Sequence, residues 1–145
     1  MTIQNTPNNS DQAYDDACQF IIKLGTAVHG YGPSAARLEF FLGRVTQALG
    51  FCGTYRSTPS QITFAFWKKG ELWQRTHIAT VPVGGYNMAK LSYVGELVDK
   101  LVLGEFTLQQ ASNRLDEIHA LADPWGVLSY ALSFILVGTG FAGLM

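Results

Sequence analysis

The stretch that decides the fold is "TYRSTPSQITFAFWKKGELWQRTHI", residues 54–78. It is rich in threonine, aromatic and β-branched residues, which favour strands. Ile62, Phe64 and Phe66 alternate with Thr63, Ala65 and Trp67. After "KKGE", a plausible hairpin turn, Leu72, Gln74, Thr76 and Ile78 alternate with Trp73, Arg75 and His77. A period of two on both sides of a turn predicts a small antiparallel meander. Thr58-Pro59 reads as a strand edge, because proline has no N–H to give to a ladder.

Outward from this stretch the period changes to that of a helix. Upstream, Ala13, Ala17, Phe20, Ile21, Leu24 and Val28 fall on one helical face, with Asp11 as a candidate cap and an acidic first turn that suits the dipole. "GYGPS" stops that helix, and Pro33 or Ser34 opens a second. Leu38, Phe41, Leu42, Val45 and Leu49 form its apolar stripe and Gly50 ends it. Downstream of the meander, "PVGGYN" leads into a helix with Leu91, Val94, Leu97, Val98, Leu101 and Val102 on one face. Asn87 is its candidate cap and Gly104 its stop. Thr107 with Gln110 three residues on is a capping-box signature for a fourth helix that buries Ala111, Leu115 and Ile118. The expected class is therefore α+β: two helices, a meander, then two further helices.

The two ends of the chain differ from this middle. Residues 1–12 are polar, with neither a basic nor an apolar leader pattern, and read as a disordered lead-in rather than a signal peptide. Residues 13–122 make the expected soluble domain. From Trp125 to Met145 (145 − 124 = 21 residues) no charged residue occurs, a length and polarity that read as a transmembrane helix. A helix buried in soluble protein is the alternative. Only 14% of the chain is charged, against roughly 25% in an ordinary soluble domain, and no charge follows Asp123. A net charge of −1 and few clustered cations argue against a nucleic-acid surface. Cys18 and Cys52 are far apart and read as free thiols in reducing surroundings.

One stretch carries most of the unusual chemistry: "HGYGPSAARLE", residues 29–39. His29 falls in the last turn of the first helix, where the dipole favours a protonated ring. Arg37 falls near the start of the second, against its dipole, and calls for an anionic partner. His29, Gly32, Arg37 and Glu39, with Thr58 and Asn87 nearby in the predicted fold, form a candidate ligand-binding corner for an anion or carboxylate. A polar network that locks helices to sheet is the alternative reading of the same residues. Ser57, Thr58 and Ser60 are hydroxyls that His29 could serve in a hydrolase, but no strand–elbow–helix serine motif is present. No metal spacing and no cofactor motif stand out.

Taken in order, "LGTAVHGYG", "PSAARLE", Leu49-Gly50, "TPSQI", "NMAKL" and "GEFTLQQASNRLDEI" resemble the N-terminal domain of the threonine/serine exporter family of membrane transporters. The resemblance runs from about Ala17 to the end of the chain. It implies a cytoplasmic α+β domain at the cell membrane, followed by several membrane helices, which together export small hydroxy amino acids. This sequence stops at the first such helix, and a single span cannot line an alternating-access path. The implied partners are therefore further membrane helices, a threonine or serine cargo, the membrane itself and, in an oligomer, more copies of this chain; nucleic acid is not among them. Two other functions stay open at this point: a hydrolase-like enzyme using the His29/Arg37/Glu39 corner, and a soluble ligand-binding module.

Overall fold

The computed structural model describes residues 9–82 and 84–122. The order of elements is α1 (Asn9–Gly30), α2 (Ala35–Ala48), β1 (Cys52–Thr58), β2 (Gln61–Trp67), β3 (Arg75–Thr80), α3 (Met88–Val102) and α4 (Leu108–Ala120). This is the expected α+β arrangement of two helices, a three-stranded antiparallel sheet and two helices. The expected membrane helix, residues 125–145, lies outside the described residues, and no described helix is long and apolar enough to cross a membrane.

The sheet has the order β1-β2-β3, both pairs antiparallel. Thr58 pairs with Gln61 across a two-residue turn, Pro59-Ser60, so proline sits where no ladder N–H is needed. β2 is central and its alternation is read directly in the packing. Ile62, Phe64 and Phe66 are all buried on the helix-covered face. On the other face Thr54, Arg56, Thr76 and Ile78 stay exposed. α2 packs on β1 and α1 on β2, while α3 and α4 pack on each other and on the first two helices. One core joins these layers, with Ile21, Leu24, Leu42, Phe64, Val94 and Ile118 fully buried in it.

The helix ends follow the sequence signals. Ser34 caps α2 through the Arg37 N–H, Asn87 caps α3 through the Lys90 N–H, and Thr107 with Gln110 closes a reciprocal capping box on α4. Gly50 and Gly104, both at positive φ, follow the last turns of α2 and α3.

Three expectations need correction. α1 begins at Asn9, inside the stretch expected as a lead-in, so Asp11 lies in its first turn rather than at its cap. There it pairs with Lys68 of the β2–β3 connection at 2.5 Å, which ties the start of the helix to the sheet. The third strand begins at Arg75, not Leu72, because the ladder with β2 ends at Phe66–Arg75. Leu72 and Trp73 therefore have no strand to pair with and stand 99% and 88% exposed. The chain does turn at "KKGE", where the Glu71 N–H donates to the Lys68 carbonyl and Gly70 takes φ +89°.

Candidate functional site

The C-terminal ends of α1 and α4, the β1–β2 turn and the 84–87 loop converge at one end of the domain. Their meeting rests on close backbone approach. A Cβ at Gly84 would lie 2.2 Å from the Gly30 carbonyl oxygen and 2.6 Å from its carbon, so the loop can reach α1 only as glycine. Gly32 takes φ +77° and packs against Gly85 and Tyr86, and the Asn87 N–H donates to the Tyr31 carbonyl at 3.0 Å. The turn after α1 and the entry to α3 are thus one pinned unit.

A cleft of about 370 Å³ opens here, lined by His29, Gly32, Thr58, Pro59, Gly84 and Tyr86 among others. His29 Nε2 lies 2.8 Å from the Thr58 carbonyl oxygen. A carbonyl only accepts, so Nε2 carries the hydrogen and donates it. His29 Nδ1 is buried and has no hydrogen-bond partner among the described residues. The imidazole therefore ties α1 to the end of β1 with one nitrogen and leaves the other unused, which a buried polar atom ordinarily does not do.

The other candidate residues separate around this point. Glu39 faces β1, where its carboxylate accepts the Ser57 N–H at 3.3 Å and meets Arg56 at 3.4 Å. It braces the strand beside the cleft. Asn87 acts as the α3 cap just behind the lining. Arg37 does not join them. It is exposed, its guanidinium lies 5.5 Å from the Phe41 ring, and it opens onto a shallow depression shared with α3. Among the described residues no carboxylate is paired with it. The anionic partner expected from its place against the dipole is absent among the described residues, and the Phe41 ring lies there instead; an exposed cation in a first turn costs only about 0.3–1 kcal/mol.

The geometry offers little to a hydrolase. Thr58 Oγ1 donates to the Gln61 carbonyl at 3.0 Å, and the nitrogen that His29 extends toward this strand is spent on a backbone oxygen. Neither is arranged as a hydroxyl nucleophile with its base. Among the described residues no group of three or more histidine, cysteine or acidic side chains converges as a metal site.

The sequence reading missed Gly84 and Tyr86, which complete the cleft, and a second polar cluster on the far side of α1. There Lys23 reaches α4, donating to Asp116 at 2.7 Å and to the Ser112 hydroxyl at 2.9 Å. Tyr31 is buried, which raises its phenol pKa, and its hydroxyl meets His119 Nδ1 at 3.2 Å. Lys90 donates to the His119 carbonyl at 2.9 Å and lies over the Tyr31 ring. These pairs are 29 to 93 residues apart in sequence, so no local pattern marks them; a "GG" doublet before a cap was the one visible hint.

The described residues thus form an α+β domain with a pinned polar cleft at one end, and a long uncharged run follows it in the sequence. Residues 19–145 match the family described as "Putative threonine/serine exporter" (ThrE), and the chain belongs to that family. It is also 29% identical over 129 residues to Pheromone-regulated membrane protein 10 of the yeast Yarrowia lipolytica, a match that covers 84% of this chain and 10% of that protein. The chain thus spans about a tenth of the length of this curated relative. No solved structure matches it.

Proposed function

We propose that this chain supplies the soluble domain and first membrane span of a threonine/serine exporter-like transporter, and that it exports small hydroxy amino acids only together with further membrane helices. The domain faces the cytoplasm at the cell membrane. The observation that carries this reading is the extent of the family match, which runs from α1 through the uncharged residues 125–145 rather than stopping at the end of α4. A 21-residue apolar run has the length to span a hydrocarbon core of about 30 Å, and one span needs partners to form a path. The His29 cleft is set off from the end of α4 by Tyr31, whose hydroxyl meets His119, and on this reading it is the part of the domain that meets cargo or neighbouring helices.

The test is efflux from cells loaded with a threonine-containing dipeptide. Threonine should appear in the medium when this chain is expressed with the membrane portion of an exporter, and not when either is expressed alone. His29→Ala should slow that efflux severalfold and Arg37→Ala should leave it unchanged, because only His29 lines the cleft. Full efflux from the membrane portion alone would refute the role of this chain.

A further inference from the structure

A second cavity, about 470 Å³, lies between α1 and α4 on the other side of Tyr31 from the His29 cleft. That volume falls within the roughly 300–1,000 Å³ of small-molecule sites, which combine an apolar lining with a few placed polar groups. Here Ala27, Gly30, Pro82 and Leu115 form the apolar part, and Lys23, Thr26, Tyr31, Asp116 and His119 the polar part. Nothing in the export reading uses it.

The polar groups are arranged with capacity to spare. Lys23 spends its ammonium hydrogens on Asp116 Oδ2, the Ser112 hydroxyl and the Ser112 carbonyl. Asp116 Oδ1 is left without a partner among the described residues, and 65% of that side chain is exposed. On His119, Nδ1 faces the Tyr31 hydroxyl and Nε2 is left unpaired among the described residues. A tyrosine hydroxyl donates readily to an imidazole nitrogen, and that pairing puts the ring hydrogen on Nε2. One helical face thus presents an anionic acceptor and a donor three residues apart, about 5–6 Å between Cβ atoms. An amino acid presents the complementary pair on one carbon: an ammonium for Asp116 and a carboxylate for His119. Its side chain then falls on Leu115, Ala27 and Pro82, and the neighbouring Thr26 hydroxyl already spends its hydrogen on the Ile22 carbonyl at 2.8 Å.

We infer that this cavity binds a free amino acid with an aliphatic side chain, through its α-ammonium and α-carboxylate, and that it prefers leucine-sized residues to threonine or serine. Because α4 ends one residue after His119, at Ala120, a ligand bridging α1 and α4 would stiffen the joint at the C-terminal edge of the domain.

The experiment is calorimetric titration of the purified full chain in detergent, which needs no transport and so fails or succeeds independently of the export reading. Four ligands are compared: leucine, threonine, isoamylamine and isocaproate, the last two lacking the carboxylate and the ammonium respectively. Leucine should bind at least about tenfold more tightly than each of the others, a difference of roughly 1.4 kcal/mol. Asp116→Asn, an exposed change checked for folding by circular dichroism, should weaken leucine by about tenfold and leave isocaproate unaffected. Three results would each overturn the inference: no saturable heat from leucine up to about 10 mM, threonine or isocaproate matching leucine, or Asp116→Asn binding leucine like the parent.

Discussion

Gly84 and Gly30 meet backbone to backbone, and that contact sets the shape of the cleft more than any charged side chain does. A methyl at Gly84 would have to occupy the space of a carbonyl that is itself part of α1, and neither chain segment can yield alone. Gly84→Ala should therefore destabilise by about 1–3 kcal/mol, the usual cost of overpacking. Gly85→Ala, which meets nothing within 4 Å, should be close to neutral in the same urea titration. Equal effects at the two positions would mean that the loop moves freely against α1. Tyr55 gives a residue-scale prediction of another kind. It is 5% exposed, its hydroxyl bonds Thr46, and burial pushes its pKa up to about 12. The unfolded phenol titrates near 10. Above that pH the unfolded state sheds the proton first, so the contribution is whole below pH 10 and is lost as pH rises toward 12. Tyr55→Phe should flatten that alkaline fall in stability, by at most about 3 kcal/mol.

At the level of elements, the helices were legible because their stripes and caps are local. The buried sets of α2, α3 and α4 are those the 3.6-residue spacing picks out, except that Thr46 is buried and Leu49 and Val102 only half-buried, and Ser34, Asn87 and Thr107 cap as their positions suggest. Thr107→Ala should cost about 1 kcal/mol, since it removes one arm of the capping box and leaves the Gln110 N–H unanswered. Conversely Gly43 and Gly95 lie inside α2 and α3 with nothing within 4 Å of a would-be Cβ. Alanine at either should raise stability by about 0.5–1 kcal/mol by restricting the unfolded chain. A thermal melt that falls for Gly43→Ala would point to a contact on α2 that only the assembled protein makes. The strand boundary was less legible. "ELWQ" alternates as well as "RTHI" does, and what separates them is that the ladder with β2 stops at Phe66–Arg75, while Trp67 at the end of β2 pairs only with Cys52 of β1. Alternation states which face a strand would bury, not whether a neighbour is there to pair with it. The site was legible in the same uneven way: His29 stood out beside its glycines, whereas the Lys23–Asp116 and Tyr31–His119 pairs depend on α1 and α4 lying side by side.

For the molecule as a whole, the decisive question is how a domain with an ordinary core is joined to 21 uncharged residues. The described part has the features of a free-standing fold. Its core is continuous through all four helices and the sheet, and α4 ends in a cap whose last carbonyls accept the Leu121 N–H. Charge is spread over that part in seven ion pairs among the described residues, with side chains mostly a third or more exposed, so it contributes solubility more than stability. Nothing of that kind balances Trp125–Met145, which carries no charge. On the proposed reading, spanning a membrane would remove that run from water at a gain of about 25 cal/mol per Å², far more than the surface ion pairs can oppose. The full chain should therefore sediment with membranes and resist extraction at alkaline pH, coming off only with detergent. A chain ending at Ala122 should stay in the supernatant and keep the same far-ultraviolet spectrum per residue for its helices. If the full chain is instead recovered in the supernatant without detergent, residues 125–145 are buried against protein, and the first candidate for the surface they cover is the exposed stretch around Leu72, Trp73 and Ile78.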